Sequence, residues 1–266
     1  MKCTEQYLFE IPTYSINKSI RLIELFAGVG SQAMALKRLG AKFEHYRVCE
    51  FDKYAIQQSY NAIHNTNFET ADITQWHGKD LGIIDKDKYE YILTYSFPCQ
   101  SLSVAGKQEG MRKGSGTRSG LLWEVERLLN ETEELPQVLL MENVPQVHSD
   151  KNKPDFDLWI SFLKSKGYTN QYFDMNAKDY GTAQNRNRCF MVSILSDKSI
   201  EKPKPIKLTK TMKDYLEDSV DEKYYLTSEK AQKLINNLID RGIIGTEDRG
   251  QRTEDRGQRT EENIHY

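Results

Sequence analysis

Residues 20–39 read IRLIELFAGVGSQAMALKRL. The first seven form a short apolar run, Ala27-Gly28-Val29-Gly30 interrupts it, and residues 31–39 resume with apolar positions at helical spacing. This predicts a strand, a glycine turn and a helix. Residues 45–50 (HYRVCE) predict a second strand ending on a carboxylate, with Asp52 placed to cap a helix over residues 53–64. Residues 89–97 and 137–144 read as further buried strands, with an amphipathic helix over residues 119–129 between them. Residues 168–175 and 188–195 form another strand pair, preceded by a helix over residues 156–166. Strands alternating with helices argue for an α/β fold: an open, mostly parallel sheet with helices on both faces, which binds ligands beyond the carboxyl ends of its strands.

The 266 residues suffice for one full α/β domain and a smaller appendage. A formal net charge of −2 withholds the overall basic footprint of a nucleic-acid binder, although a local basic surface can serve. No apolar run reaches the roughly 18–20 residues of a membrane span, and residues 1–14 lack a secretory apolar core. The expectation is a cytoplasmic protein without membrane contact. Cys3, Cys49, Cys99 and Cys189 are scattered without CxxC pairing, so neither a metal site nor a disulfide framework is expected.

After about residue 200 the texture changes. Lys202-Pro203-Lys204-Pro205 signals a linker, residues 211–217 and 227–241 predict short polar helices, and TEDRGQR occurs twice in tandem at 246–252 and 253–259. The expected organisation is a core over residues 1–200, a linker with the start of a truncated second domain over 201–243, and a disordered tail over 244–266.

Several residues stand where such a sheet does chemistry. Gly28-x-Gly30 is either a nucleotide-type turn or a plain tight turn, since the third glycine of a dinucleotide fingerprint is missing. Glu50, at the next strand's end, either accepts ribose hydroxyls or is an exposed strand-end acid. Cys99 is delivered past an apolar strand by Pro98, which favours a reactive thiol over an inert core cysteine. Glu142 stands where the next strand runs out, and an acid beside a nucleophile at one sheet edge suggests general acid work rather than simple solvation. Arg186 and Arg188, two apart, point to one side of a strand; they reach the cleft or mark its solvated start. The loop over residues 101–118 carries Lys107, Arg112, Lys113 and Arg118 among four glycines, suited to closing over phosphates or simply flexible.

In this order, the segments over about residues 20–195 resemble the cytosine carbon-5 DNA methyltransferase family of bacterial and phage type. The resemblance implies a Rossmann-like S-adenosylmethionine-dependent methyltransferase fold. It makes the Glu24–Gly30 stretch, with Phe26, Ala27, Gly28 and Gly30, the cofactor loop, Glu50 the ribose acid and Phe51 the adenine-packing aromatic. Asp72, followed by Ile73, is the acid facing the adenine amine. Pro98-Cys99-Gln100 matches the nucleophile motif, Glu142-Asn143-Val144 the glutamate motif, and Gln184-x-Arg186-x-Arg188 the arginine motif. Residues 117–123 resemble the segment that follows the family's mobile catalytic loop.

The implied cofactor is S-adenosylmethionine and the implied substrate DNA, in the setting of restriction–modification. Cys99 would add to carbon 6 of the base; Glu142, its carboxyl raised in pKa in a dry pocket, would hold ring N3; Arg188 would hold the base carbonyl. The family's C-terminal motifs and full target-recognition domain have no match here, so the expectation is a truncated form or one subunit of a split enzyme, with a separate chain carrying recognition. Three rivals stand beside it: an RNA cytosine-5 methyltransferase, a catalytically silent binding or regulatory remnant of the same fold, and a nicotinamide-dependent oxidoreductase. The last gives Pro98-Cys99-Gln100 no role.

Overall fold

The computed structural model describes residues 13–102, 110–217, 219–221, 223 and 228–242. They form two compact units, the first reaching Ile206 but excluding Gly181–Gln184, the second comprising that tetrapeptide and the residues from Lys207 on.

The first unit is built on strands β1 (Ser19–Leu25), β2 (Phe43–Cys49), β3 (Tyr89–Tyr95), β4 (Val138–Asn143), β5 (Thr169–Asn176) and β6 (Asn187–Ile194). They lie in the order β2-β1-β3-β4-β6-β5. β2, β1, β3 and β4 pair parallel; β6 runs antiparallel to both its neighbours. The mostly parallel sheet follows from the sequence rhythm, because a parallel return needs a crossover and the intervening segments are helical.

Period-2 alternation sends the strands' side chains to two faces. Ile23 and Leu25, Tyr91, Leu93 and Tyr95, and Leu139 and Met141 join one core cluster with helices α3 (Leu122–Glu131) and α4 (Lys153–Ser165). Ile20, Leu22, Ile92 and Val138 pack on the other face against Ala33 and Leu36 of helix α1 (Ser31–Arg38). Both faces are therefore covered, which is why β1 and β3 read as near-continuous apolar runs. Trp159 of α4, fully buried, donates its indole N–H to the Tyr95 hydroxyl at 3.1 Å, so the largest side chain of the core enters it without an unpaired donor.

Two helices differ from expectation. Residues 53–64 form a π-helical segment, Tyr54–Tyr60, that runs into the short α2 (Asn61–His64), and the wide turns bury both Ile56 and Tyr60. Asp52 does cap this start, accepting from the backbone N–H of Tyr54 at 2.7 Å and of Ala55 at 3.2 Å. The helix expected over residues 211–217 is only a 3₁₀ turn, Met212–Tyr215, held by Thr211 and Asp214. The described side chains of this segment are exposed, so no packing extends the turn into a longer helix.

The first unit runs to Ile206, although residues 201–206 are exposed. Tyr14 N–H donates to Ser199 O, Ile206 N–H to Asp179 O at 2.9 Å and the Tyr180 hydroxyl to Pro203 O, so the Lys202–Pro205 signal marks a docked extended segment. Of the second unit, the helix α5 (Glu229–Asp240) is capped by the Ser228 hydroxyl. The tandem repeat and residues 244–266 lie outside the described residues.

Candidate active site

From β1 the chain crosses to β2 on one side, and from β3 to β4 on the other, so the carboxyl ends of β1 and β3 flank the sheet's switch point. The turn from Phe26 to Gly30 follows β1, and Ser96–Gln100 follows β3. The helix that follows the first loop is tied to the second: the side-chain amide of Gln32, in α1, donates to Ser96 Oγ at 3.0 Å.

The first loop is held in left-handed backbone at three of five positions, with φ of 57° at Phe26, 55° at Gly28 and 76° at Gly30. For Phe26 this conformation costs about 1–2 kcal/mol, and the loop's hydrogen bonds offset it. The N–H groups of Phe26 and Ala27 donate to Cys49 O, and Gly28 N–H donates to Glu50 Oε2 at 2.8 Å. The other Glu50 oxygen accepts from Asp52 N–H at 2.9 Å. Ala71 N–H reaches Glu50 O at 2.8 Å, which brings Asp72 alongside, its carboxylate accepting from Thr74 N–H. Ile73 is buried beneath, while Phe51 is 78 % exposed, an aromatic face without a covering group of its own.

The two glycines do different work. A Cβ on Gly28 would meet nothing within 4 Å, which leaves space for a ligand against the backbone. A Cβ on Gly30 would lie 2.6 Å from Tyr60 Cε2 and 2.3 Å from His64 Nε2. Gly30→Ala is therefore expected to cost roughly 2–4 kcal/mol, overpacking plus left-handed strain, against about 1–2 kcal/mol for Gly28→Ala. Equal denaturation midpoints for the two variants would refute this division.

Beneath the loop lies a buried polar network that sequence reading missed. Glu24 of β1 accepts from the Tyr60 hydroxyl at 2.5 Å and from Ala33 N–H at 3.3 Å. His45 Nδ1 lies 2.8 Å from the same hydroxyl, and His64 Nε2 lies 3.1 Å from Val29 O of the loop. Burial pushes the Glu24 carboxyl up to about 7, partly opposed by its two donors. The available signal was a glutamate inside an apolar strand; its partners, 9 to 36 residues away, carry no local mark.

Cys99 stands half-buried at the mouth of the second loop. Its neighbours are fixed from two sides: Ser119 Oγ donates to Pro98 O at 2.7 Å, and the buried Asn143 Nδ2 donates to Phe97 O at 3.0 Å. Arg118 donates to the Gln100 side chain at 2.6 Å. Of the described cysteines the other two are buried, and desolvation pushes both Cys49 and Cys189 up to about 12, so neither competes with Cys99 as a free nucleophile.

Glu142, on β4, forms an ion pair with Arg188, whose Nε lies 3.0 Å from Oε1, with Arg186 3.9 Å from the same oxygen. This meeting depends on the reversed direction of β6. Its beginning, not its end, lies at the edge where β4 ends, with Asn143 paired to Cys189 and Glu142 to Phe190. Glu142 and Arg188 side chains are 24 % and 21 % exposed, so the described residues do not by themselves form the dry pocket expected around the glutamate. Arg186 is the more solvated arginine, 48 % exposed.

Two of the basic loop's charges are engaged. Lys113 pairs with Glu126 at 2.8 Å and Arg118 with Gln100; Trp123 Nε1 donates to Met111 O, anchoring the returning limb. Lys107 lies outside the described residues.

The family model of C-5 cytosine-specific DNA methylases matches residues 20–263, so its match runs beyond residue 195, where the motifs quoted above stop. The orphan methyltransferase M.SssI of Spiroplasma monobiae is 36 % identical, over 86 % of this chain and 74 % of its own. The type II methyltransferase M.HhaI of Haemophilus parahaemolyticus is 32 % identical, over 88 % and 70 %. Among solved structures, S. pombe Dnmt2 methyltransferase aligns with a TM-score of 0.62 at 19 % identity, over 84 % of this chain and 65 % of that one, a likeness of fold.

Proposed function

The chain belongs to the C-5 cytosine-specific DNA methylase family, and from that premise we propose that it methylates carbon 5 of cytosine in DNA, with S-adenosylmethionine as donor and Cys99 as nucleophile. The observation that carries the reading is the convergence at one sheet edge of the glycine turn, the Cys99 loop tied to β4 through Asn143, and the Glu142–Arg188 pair.

The loop residues suit the donor. Space beside Gly28, a carboxylate at Glu50 with lone pairs left over, the exposed Phe51 ring and Asp72 nearby would hold the sugar and adenine of a nucleoside, with Phe26, Ala27, Gly30, Ile73 and Pro98 shaping the walls. When bound, S-adenosylmethionine supplies an electrophilic methyl group. Glu50→Ala is expected to weaken donor binding by about 1–3 kcal/mol, the scale for a lost ligand hydrogen bond. Unchanged affinity by calorimetry in a folded variant would make Glu50 a loop brace only.

Toward the base, the Cys99 thiolate adds to carbon 6, and the ring electrons this displaces make carbon 5 nucleophilic. Glu142 holds ring N3 and the exocyclic amine, and Arg188, released from part of its pairing, holds the carbonyl. The base itself, seated against Glu142 and Arg188, covers these two partly exposed side chains and dries their surroundings. Once carbon 5 is methylated, loss of its proton and departure of Cys99 as thiolate restore the aromatic ring. The base must leave the duplex stack to reach these groups.

Among the described residues no helix is long and apolar enough to cross a membrane, and we place the enzyme in the cytoplasm with its DNA. In this reading sequence recognition belongs to a segment beyond the sheet that carries Cys99 and Glu142.

The experiment is mechanism-based trapping. A DNA duplex pool containing 5-fluorocytosine, which has no carbon-5 proton to lose, should yield with donor a denaturation-resistant protein–DNA adduct mapping to Cys99. An adduct at another residue would overturn the assignment. Methylation of transfer RNA and not DNA would move the chain to the RNA reading.

A further inference from the structure

We propose that His148, Asp174 and Cys189 form a binding site for one divalent ion of the zinc class, separate from the groups that act on the base. The three come from different elements: His148 ends the 3₁₀ turn Pro145–His148 after β4, Asp174 lies on β5, and Cys189 lies on β6 as the direct cross-strand partner of Asp174. Their donor atoms all lie within 4.8 Å of one another.

Imidazole, carboxylate and thiolate are the ligand types zinc takes, and three protein ligands with a fourth position open is a recurrent arrangement. With metal–ligand bonds of about 2.0–2.3 Å, tetrahedral ligands stand roughly 3.3–3.8 Å apart. His148 Nε2 is already 3.0 Å and 3.1 Å from the two Asp174 oxygens, so only modest side-chain movement completes the triangle. The strand pairing holds Asp174 and Cys189 in place, and the rings of Phe156 and Tyr172, at 6.0 Å and 5.3 Å, restrict the His148 ring.

Charge and access point the same way. A divalent ion with one carboxylate, one thiolate and a neutral imidazole gives a centre of zero net charge, the thiol proton passing to solvent as the metal–sulfur bond forms. Cys189 is fully buried, whereas the His148 and Asp174 side chains are 26 % and 37 % exposed, which leaves the outer side open to an arriving ion and a water ligand. An ordinary His–Asp ion pair at this exposure contributes about 0–1 kcal/mol, and the Cys189 thiol already hydrogen-bonds to the same Asp174 carboxylate, so all three groups converge on one point. The lack of CxxC spacing hid the site in the sequence, because its ligands converge only through the β4–β6–β5 pairing.

The test uses the full chain, purified in chelator and then titrated with cobalt(II) chloride and zinc chloride. One equivalent of cobalt should produce a thiolate-to-metal charge-transfer band and a tetrahedral visible band, both displaced by zinc. Cys99→Ser should keep the bands; Cys189→Ser should abolish the charge-transfer band. His148→Gln, at the surface and safe for folding by circular dichroism, should weaken zinc binding at least tenfold in competition with a chromophoric chelator. Absence of a thiolate band at stoichiometric cobalt, its survival in Cys189→Ser, or unchanged zinc affinity in His148→Gln would each overturn the proposal.

Discussion

Cys99→Ser is expected to lower methyl transfer on the order of 10⁴-fold or more while leaving donor affinity within about a factor of two. A serine hydroxyl remains un-ionised at any working pH, so the addition to carbon 6 loses its nucleophile and carbon 5 is never activated. The donor side is untouched, because the loop that would bind it is braced by Glu50, Cys49 O and the Glu24 network rather than by the Cys99 side chain. The substitution is nearly isosteric at a half-buried position, so folding is retained. Transfer is read with labelled donor and affinity by calorimetry, in preparations where the unsubstituted chain is active. Substantial turnover by the serine variant would remove Cys99 as nucleophile, and loss of donor binding would show that the cysteine loop shapes the donor pocket.

The second large effect is expected at Glu142. Glu142→Gln keeps the shape and a hydrogen-bonding group but cannot exchange a proton with ring N3, and a general acid contributes roughly 10²–10⁴-fold. The loss should appear in kcat under single-turnover conditions, with donor affinity unchanged. Stability should change little, because the Arg188–Glu142 pair is partly solvated and such pairs are worth about 0–1 kcal/mol. The glutamine also releases Arg188 from a charged partner, so the base should bind no more weakly than before. A variant with full kcat would make Glu142 a brace for Arg188 and leave protonation of the base to another group.

Much of the fold was legible because its signals are local. The apolar runs at β1, β3 and β4, the glycine break after β1 and the helical spacing of α1 and α3 are set by neighbouring residues, and period-2 and period-3.6 patterns need no distant contact to be read. Boundaries moved by a few residues, as at α4, which starts at Lys153 with Pro154 in its first turn. The two units divide at Ile206, just past the Lys202–Pro205 signal; two prolines exclude helix but do not say that the extended segment hydrogen-bonds back to Asp179 and Tyr180.

For the site, the sequence by itself determined which side chains follow which strands: the Phe26–Gly30 turn, Glu50, Cys99 and Glu142 all stand just past apolar runs, at the edge where an open α/β sheet binds ligands. Only the tertiary structure decided which of them meet. The reversal of β6 between β4 and β5 turns Arg188 toward Glu142, sets Cys189 against Asp174 beside His148, and so creates one ion pair and one candidate metal site from residues distant in the chain. The π-helical register that buries Tyr60 against Glu24, and thereby crowds the space beside Gly30, is likewise settled across 36 residues of separation. The physical reason is common to all three: strand order, strand direction and side-chain pairing are fixed by the total free energy of packing two faces of a sheet, a sum over contacts between segments that no single stretch of sequence contains.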